Sequence, residues 1–166
     1  DAGNERGIYF RPELDDEVIV AFINEDPRDP VVLGMLHSSS KPTPFEAADD
    51  NHEKGIVTRE KLKVVFNDEK KTIDIETPNG NKLQFTDEDG AILLEDENGN
   101  KISMNADGIT IESAKDLILK ASGDISMEGT GIEIKASSQL KAEGSAGAEV
   151  SSGGQTVISG SLVQIN

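Results

Sequence analysis

The C-terminal part of this chain repeats a short pattern of apolar side chains. Pairs spaced i, i+2 begin 8 or 7 residues apart, with Gly, Ser, Ala, Asp and Lys between them. The pairs are Ile109/Ile111, Leu117/Leu119, Ile125/Met127, Ile132/Ile134, Leu140/Ala142, Ala148/Val150, Thr156/Ile158 and Val163/Ile165. Both members of a pair lie on one face of a strand, because strand side chains alternate between faces. So short a strand is not stable alone, and the pattern predicts a stack of strands that bury each other.

A wider version of the same repeat precedes it. The pairs Ile73/Ile75, Leu83/Phe85, Ile92/Leu94 and Ile102/Met104 begin 10 or 9 residues apart. Turn-forming segments such as Asn79-Gly80-Asn81 and Asn98-Gly99-Asn100 separate them. We therefore expect a rod of stacked strands over residues 58–166 that begins wide and ends narrow.

Two architectures fit an eight-residue repeat. A single chain can wind a three-sided coil, or three chains can interlace so that each repeat climbs one strand spacing of ~4.8 Å. The pairs from Ile73 to Ile165 would then span ~50 Å in the trimer and under ~20 Å in the single coil. Two inward side chains per repeat are few for a monomer. We favour the trimer, in which each strand finds its hydrogen bonds in another subunit; a calcium-binding β-roll lacks its Gly-Gly-x-Gly-x-Asp motif here.

Composition supports a narrow core and restricts the partners. Aromatic residues make up 4% of the chain, and Trp and Cys are absent, which excludes disulfides and thiolate metal sites. The net charge of −16 argues against nucleic acid or an anionic membrane surface as an electrostatic partner. No apolar run reaches the ~20 residues that span a bilayer, and no signal peptide is visible. Because residue 1 is Asp rather than Met, we expect a fragment of a longer protein.

The N-terminal part predicts a different β structure. Strand-forming residues 17–23 and 31–36 flank a Pro- and Asx-rich turn at 24–30, which predicts a hairpin. A hairpin alone is marginal in water, so residues 1–37 are interpreted as the last strands of a small barrel. Residues 38–57 are polar and contain Pro, and are predicted to be a connector.

Two segments of this N-terminal part resemble a known family. The segment Gly7–Phe22 (GIYFRPELDDEVIVAF) and the segment Asp26–His37 (DPRDPVVLGMLH) resemble the end of the OB-fold domain of VgrG-type spike proteins. The tail from Gly55 to Asn166 looks like the triple-stranded β-helix that follows this domain in the same family. VgrG-type proteins form the spike of type VI secretion systems and of related contractile injection machines.

The resemblance implies an all-β protein: an intertwined homotrimeric triple-stranded β-helix over residues 58–166, preceded by the end of an OB-fold-like barrel. It implies a structural spike that pierces a target membrane and contacts tube and baseplate proteins through domains missing from this sequence. It also implies loading in the bacterial cytoplasm, followed by secretion or injection. The connector is too short for the lysozyme domain of some phage spikes, and we expect no enzymatic activity.

Candidate chemical sites are few. His37 and His52 are predicted to lie at a strand end and in the connector, and no His follows them, so no His-x-His metal tip of the kind found in some phage spikes is possible. The acidic clusters 87–89 and 95–97 lack EF-hand spacing. Ser137-Ser138 and Ser151-Ser152 have no triad partners. We expect no catalytic residue, cofactor or metal.

A trimeric β-solenoid tailspike or adhesin fibre that binds host glycans remains the alternative function. Glycan-binding fibres usually present aromatic platforms, whereas residues 86–166 contain no Phe, Tyr or Trp. This difference favours the spike.

The C-terminal end is the candidate partner site. After Glu149 no residue is charged, and an apolar strand end needs a cap. The family resemblance implies a conical PAAR-repeat tip protein that carries effectors, and the docking residues are predicted to be Ser161, Leu162, Val163, Gln164, Ile165 and Asn166. A plain core end covered by Asn166 is the alternative.

Overall fold

The computed structural model describes residues 2–165, and nearly all of its regular structure is β-strand. The one helical element among these residues is a 3-10 turn, Ile23–Glu25. The all-β class predicted from the sequence is therefore confirmed. The chain divides into two units, Asp1–Ile118 and Leu119–Asn166, and each is described separately.

Two small hairpins form the N-terminal part of the first unit. Strands β1 (Ala2–Gly3) and β2 (Arg6–Gly7) pair antiparallel, as do β3 (Glu17–Phe22) and β4 (Pro30–Leu36). Between β3 and β4 the chain turns through the 3-10 segment, where the backbone at Asn24 is left-handed (φ 52°). The predicted hairpin is thus present, with a bulge between Ile19 and Val20.

A seven-stranded antiparallel sheet follows, in which each strand pairs with the next along the chain. Its strands are β5 (Glu53–Val57), β6 (Lys63–Asn67), β7 (Thr72–Glu76), β8 (Lys82–Thr86), β9 (Ala91–Glu95), β10 (Lys101–Asn105) and β11 (Gly108–Glu112). In this region, the strands therefore pair within the chain. The spacing of 9 or 10 residues leaves room for a reversing turn, so that each strand folds back onto its predecessor.

The apolar pairs predicted from the sequence lie on one face of this sheet. In the observed register, Ile75 lies opposite Leu83, and Ile73 opposite Phe85. The same alignment repeats at every strand junction and produces two apolar ladders. The first is Ile56, Val64, Ile75, Leu83, Leu94, Ile102 and Ile111; the second is Phe66, Ile73, Phe85, Ile92, Met104 and Ile109. We call the surface formed by both ladders the apolar face.

Strand β5 lies inside the stretch predicted to be a connector. Residues 53–57 pair with β6 along their whole length, with Gly55 opposite Val65. Gly55 lies so close to the Val64 carbonyl and the Phe45 ring that a Cβ atom would overlap both. A glycine in the strand centre weakens the sequence pattern, which is why this strand was missed.

Three similar turns connect consecutive strands at one end of the sheet, at residues 58–62, 77–81 and 96–100. In the second, the Thr77 N–H donates to the Asn81 carbonyl (3.0 Å) and the Gly80 N–H to the Thr77 carbonyl (3.0 Å). The fourth residue of each turn has left-handed φ: 65° at Lys61, 92° at Gly80 and 84° at Gly99. The turns therefore repeat one geometry, which glycine adopts without strain.

The second unit has a different local structure. Of its described residues, 119–165, none belongs to a helix or a strand ladder. Lys135 Nζ lies 2.7 Å from Glu133 Oε1, and Lys141 forms an ion pair with Glu143. A contact between residues two apart is typical of an extended chain, in which successive side chains alternate between two sides. Glu133 and Lys135 then lie on the side opposite Ile132 and Ile134.

Candidate assembly face and tip

None of the residues whose side chains the structure describes, 3–165, is buried. The chain exposes 15340 Å², whereas a compact monomer of its mass, 17.7 kDa, exposes roughly 8,000 Å². A single copy thus leaves about twice the expected surface in contact with water. The structure of one chain lacks a completed core.

The apolar face is the largest ordered part of this exposed surface. Ile75 is 42% exposed and Phe66 42%, although both belong to central strands of the sheet. Exposure is highest on the last strand, at 71% for Ile109 and 54% for Ile111. Contiguous apolar surface of this extent marks an interaction site on a soluble protein.

The opposite face of the sheet is polar and better covered. At its centre, the Gln84 side-chain amide donates to Asp74 Oδ1 (2.7 Å), and Lys82 Nζ lies 3.3 Å from the same oxygen. The side chains of Asp74 and Lys82 are only 24% and 29% exposed. The central polar groups of this face thus have partners within the chain.

A column of alternating charge runs along one side of the polar face. Lys63 lies opposite Glu76, with 3.6 Å between Nζ and Oε2, and the alternation continues at each junction. We call this set the charged column: Lys63, Glu76, Lys82, Glu95, Lys101 and Glu112. The sequence pattern did not reveal this column. On one strand its member precedes the apolar pair, and on the next strand it follows the pair, so only the antiparallel register aligns them.

The turn at 96–100 holds the most strongly perturbed carboxylate. The Asn100 side-chain amide donates to Asp96 Oδ2 (2.7 Å), and the backbone N–H groups of Asn100 and Asn98 donate to Asp96 Oδ1 (2.9 Å each). These hydrogen bonds, that from the Asn100 side chain above all, lower the pKa of Asp96 to about 2. Asn100 Oδ1 in turn accepts from the Ala114 N–H (3.0 Å), so the turn also fixes the chain after β11.

Strands β5 and β11 are the two edges of the sheet. Near β5, Pro44 and Phe45 of the preceding segment lie against the polar face, where they line a pocket with Val65 and Asp74. At β11, no strand among residues 2–165 pairs with the outer side. Near this open edge, Leu117 lines a groove together with Leu94, Ile102 and Ile111. The apolar face therefore continues to an edge that offers unpaired backbone groups.

The predicted tip residues lie in the second unit and are accessible. Leu162 is 82% exposed, Ile165 88% and Val163 47%. Ser161 and Gln164 are also exposed. Asn166 lies outside the described residues, so its part in the tip stays a prediction.

The structure shows no arrangement of the other candidate residues into a chemical site. His52 Nε2 lies 3.7 Å from Asp50 Oδ2. In the described part of the chain, no three His, Asp or Glu side chains are grouped to hold a metal ion. Within residues 2–165, the protein has no helix that is long and apolar enough to cross a bilayer.

Two family models match this chain, and both describe parts of injection machines. Residues 1–37 match the type VI secretion system/phage-baseplate injector OB domain. Residues 72–137 match the phage baseplate V C-terminal trimerisation domain, which supports a homotrimer. The comparison with curated proteins gives no match. Both families are structural domains of baseplates and spikes. The two matches, in this order along the chain, confirm the resemblance to VgrG-type spike proteins and identify the chain as carrying parts of both domains.

Proposed function

We propose that this chain forms the needle of a homotrimeric, membrane-piercing spike in a contractile injection machine. The observation that carries the proposal is the apolar face, which a single copy leaves exposed across seven strands. The trimerisation-domain match begins at β7 and extends beyond this sheet to residue 137. An exposed apolar sheet in a trimerisation domain is the surface that three copies would bury.

Assembly would convert this surface into a force-bearing core. Full burial of an exposed apolar side chain contributes ~1.5–3 kcal/mol. The ladder side chains, which are partly covered in one copy, would each contribute a share of that value. Three sheets joined through their apolar faces would leave the polar faces in water. The needle would then act mechanically, through stiffness and without a catalytic step.

The two ends of the needle would have separate partners. The N-terminal hairpin, which lies within the segment that matches the injector OB domain, would face the tube and baseplate proteins. At the other end, the exposed Leu162 and Ile165 would receive a PAAR-type tip protein that brings effectors. We further propose that the spike is loaded in the bacterial cytoplasm and then leaves with the tube.

Solution mass and particle length test the proposal. Light scattering should give three times 17.7 kDa, and small-angle scattering should give an elongated particle ~50 Å or more in length. A monomeric mass, or a globular scattering profile, would contradict a trimeric needle.

A further inference from the structure

The charged column does not end where the sheet ends. Its last member, Glu112, lies on β11, whose outer side is open. In the next four repeats, the residue after each apolar pair again carries a charge, and the sign alternates. These residues are Lys120, Glu128, Lys135 and Glu143. Acidic residues outnumber basic ones by 32 to 16, so composition alone does not produce this alternation.

Two alignments of the next repeat against β11 keep the apolar pairs together. A parallel strand with an eight-residue offset places Leu117 opposite Ile109, and Leu119 opposite Ile111. It places Lys120 opposite Glu112, which continues the column. An antiparallel strand with the same pairs in contact places Asp116 opposite Glu112, and directly opposed like charges are destabilising. Charge therefore selects the parallel alignment.

A parallel neighbour cannot come from the same chain at this point. Only residues 113–115 separate Glu112 from Asp116, whereas a connection between adjacent parallel strands takes a dozen or more residues. The Asn100 side chain also holds this short segment through the Ala114 N–H. If residues 116–120 add to β11 in parallel, they must therefore belong to another copy.

We propose that residues 116–120 of a second copy add in parallel to the open edge of β11, with the partner copy's Lys120 opposite Glu112. From there the charged column runs between copies through Glu128, Lys135 and Glu143. This inference rests on the trimeric needle proposed above and assigns its register. It makes residues 113–115 the point at which pairing within one chain gives way to pairing between chains.

The ion pairs of the second unit agree with this placement. Lys135 with Glu133, and Lys141 with Glu143, lie on the side of the chain opposite the apolar pairs. Glu133, Lys141 and Glu149 occupy the middle position of successive repeats, and their signs also alternate. Every lysine in both series would have carboxylates above and below it.

The alternation solves a problem that near-identical repeats create. Apolar pairs that resemble one another do not distinguish the correct register from a slip by one repeat. A slip by one repeat would place Glu112 opposite Glu128, and Lys120 opposite Lys135. The apolar pairs would still fit, but like charges would meet at every step. The charged column would therefore specify the register of the trimer.

Disulfide trapping tests the pairing, because the chain has no native cysteine. Thr110 and Ile118 hold the middle positions of the paired strands, and opposed Cα atoms of neighbouring strands lie ~4.8 Å apart, within disulfide reach. After oxidation, the Thr110→Cys/Ile118→Cys protein should migrate as a covalent trimer in denaturing electrophoresis without reductant. The matched control, Thr110→Cys/Ser126→Cys, separates the thiols by two strand spacings, ~9.6 Å, and should remain uncrosslinked.

Three results of this experiment would overturn the register. In the first, the Thr110→Cys/Ile118→Cys protein forms a native trimer, but its chains stay unlinked. In the second, the disulfide closes within a single chain. In the third, the control crosslinks as well as the test variant. Each of these leaves the trimeric needle intact. A monomeric mass for the unmodified chain would instead overturn both the needle and the register.

Charge variants give a second measurement that introduces no cysteine. Lys135→Glu would place three carboxylates in sequence, so the melting temperature of the trimer should fall most for Lys135→Glu and less for Lys135→Gln. Lys115→Glu makes the same charge change outside the column and should have the smallest effect. Added salt should reduce the difference between Lys135→Glu and Lys115→Glu. Equal melting temperatures for Lys135→Glu and Lys115→Glu would overturn the role of the column.

Discussion

Ile73 lies directly opposite Phe85 across β7 and β8, and each is 39% exposed. On the other face of the same two strands, Asp74 accepts a hydrogen bond from Gln84, and its side chain is only 24% exposed. The polar face is thus better covered than the apolar one. At these two strands, the apolar face is therefore the one that other copies would cover.

The inward face of the narrow repeats can be tested with two neighbouring residues. Ile125→Asp would bury three unpaired carboxylates in one layer of the trimer, each at a cost of several kcal/mol. Ser126→Asp points outward, so its carboxylate stays in water and should lower the melting temperature far less, even opposite Glu133 of the neighbouring repeat. Size-exclusion chromatography and thermal melting of both variants give the measurement. Equal stability of the two trimers would mean that the strand faces are wrongly assigned.

The sequence predicted which residues share a face but not which strands pair. The i, i+2 spacing of Ile92 and Leu94 determines their common face through the pleat alone, and the observed register agrees. Strand direction and the identity of the neighbouring chain depend on turn length, which apolar pairs do not encode. The charged column was missed for the same reason, since Glu95 and Lys101 align only after the antiparallel turn between them is known. The absence of charged residues after Glu149 identified the tip as a candidate site, and its partner protein stays a prediction.

The close approach at Gly55 predicts an intolerant position in β5. Gly55→Ala would drive a Cβ atom into the Val64 carbonyl and the Phe45 ring, and overpacking of this kind costs about 1–3 kcal/mol. Gly34→Ala is the control, because a Cβ atom at this position in β4 meets nothing within 4 Å. Chemical denaturation should show destabilisation for Gly55→Ala alone. An unchanged unfolding midpoint for Gly55→Ala would argue against the β5–β6 pairing.

The depressed pKa of Asp96 predicts a stability that depends on pH. Hydrogen bonds from Asn100 and Asn98 favour its ionised form and lower its pKa from 3.8 to about 2. The resulting stabilisation is fully present above pH 3.8, the ordinary pKa of this group, and is lost as the pH falls through about 2. Asp96→Asn should therefore melt below the unmodified protein at pH 7, and the gap should close between pH 3.8 and about 2. Glu97→Gln removes the same charge from the next residue and serves as the control; a gap independent of pH would show that ionisation of Asp96 is not the cause.

The last prediction concerns the tip. Leu162 and Ile165 are among the most exposed apolar side chains of the second unit, and no charged residue follows Glu149. Deletion of Leu162–Asn166 should leave the trimer assembled, because the apolar face and the repeats before the tip remain. It should abolish co-purification with the cognate PAAR-type protein. Leu162→Gln/Ile165→Gln should have the same effect with the chain length kept, whereas Val157→Gln, at a site 71% exposed one repeat earlier, should leave binding intact. If the shortened trimer still binds the tip protein, the docking site lies elsewhere on the needle.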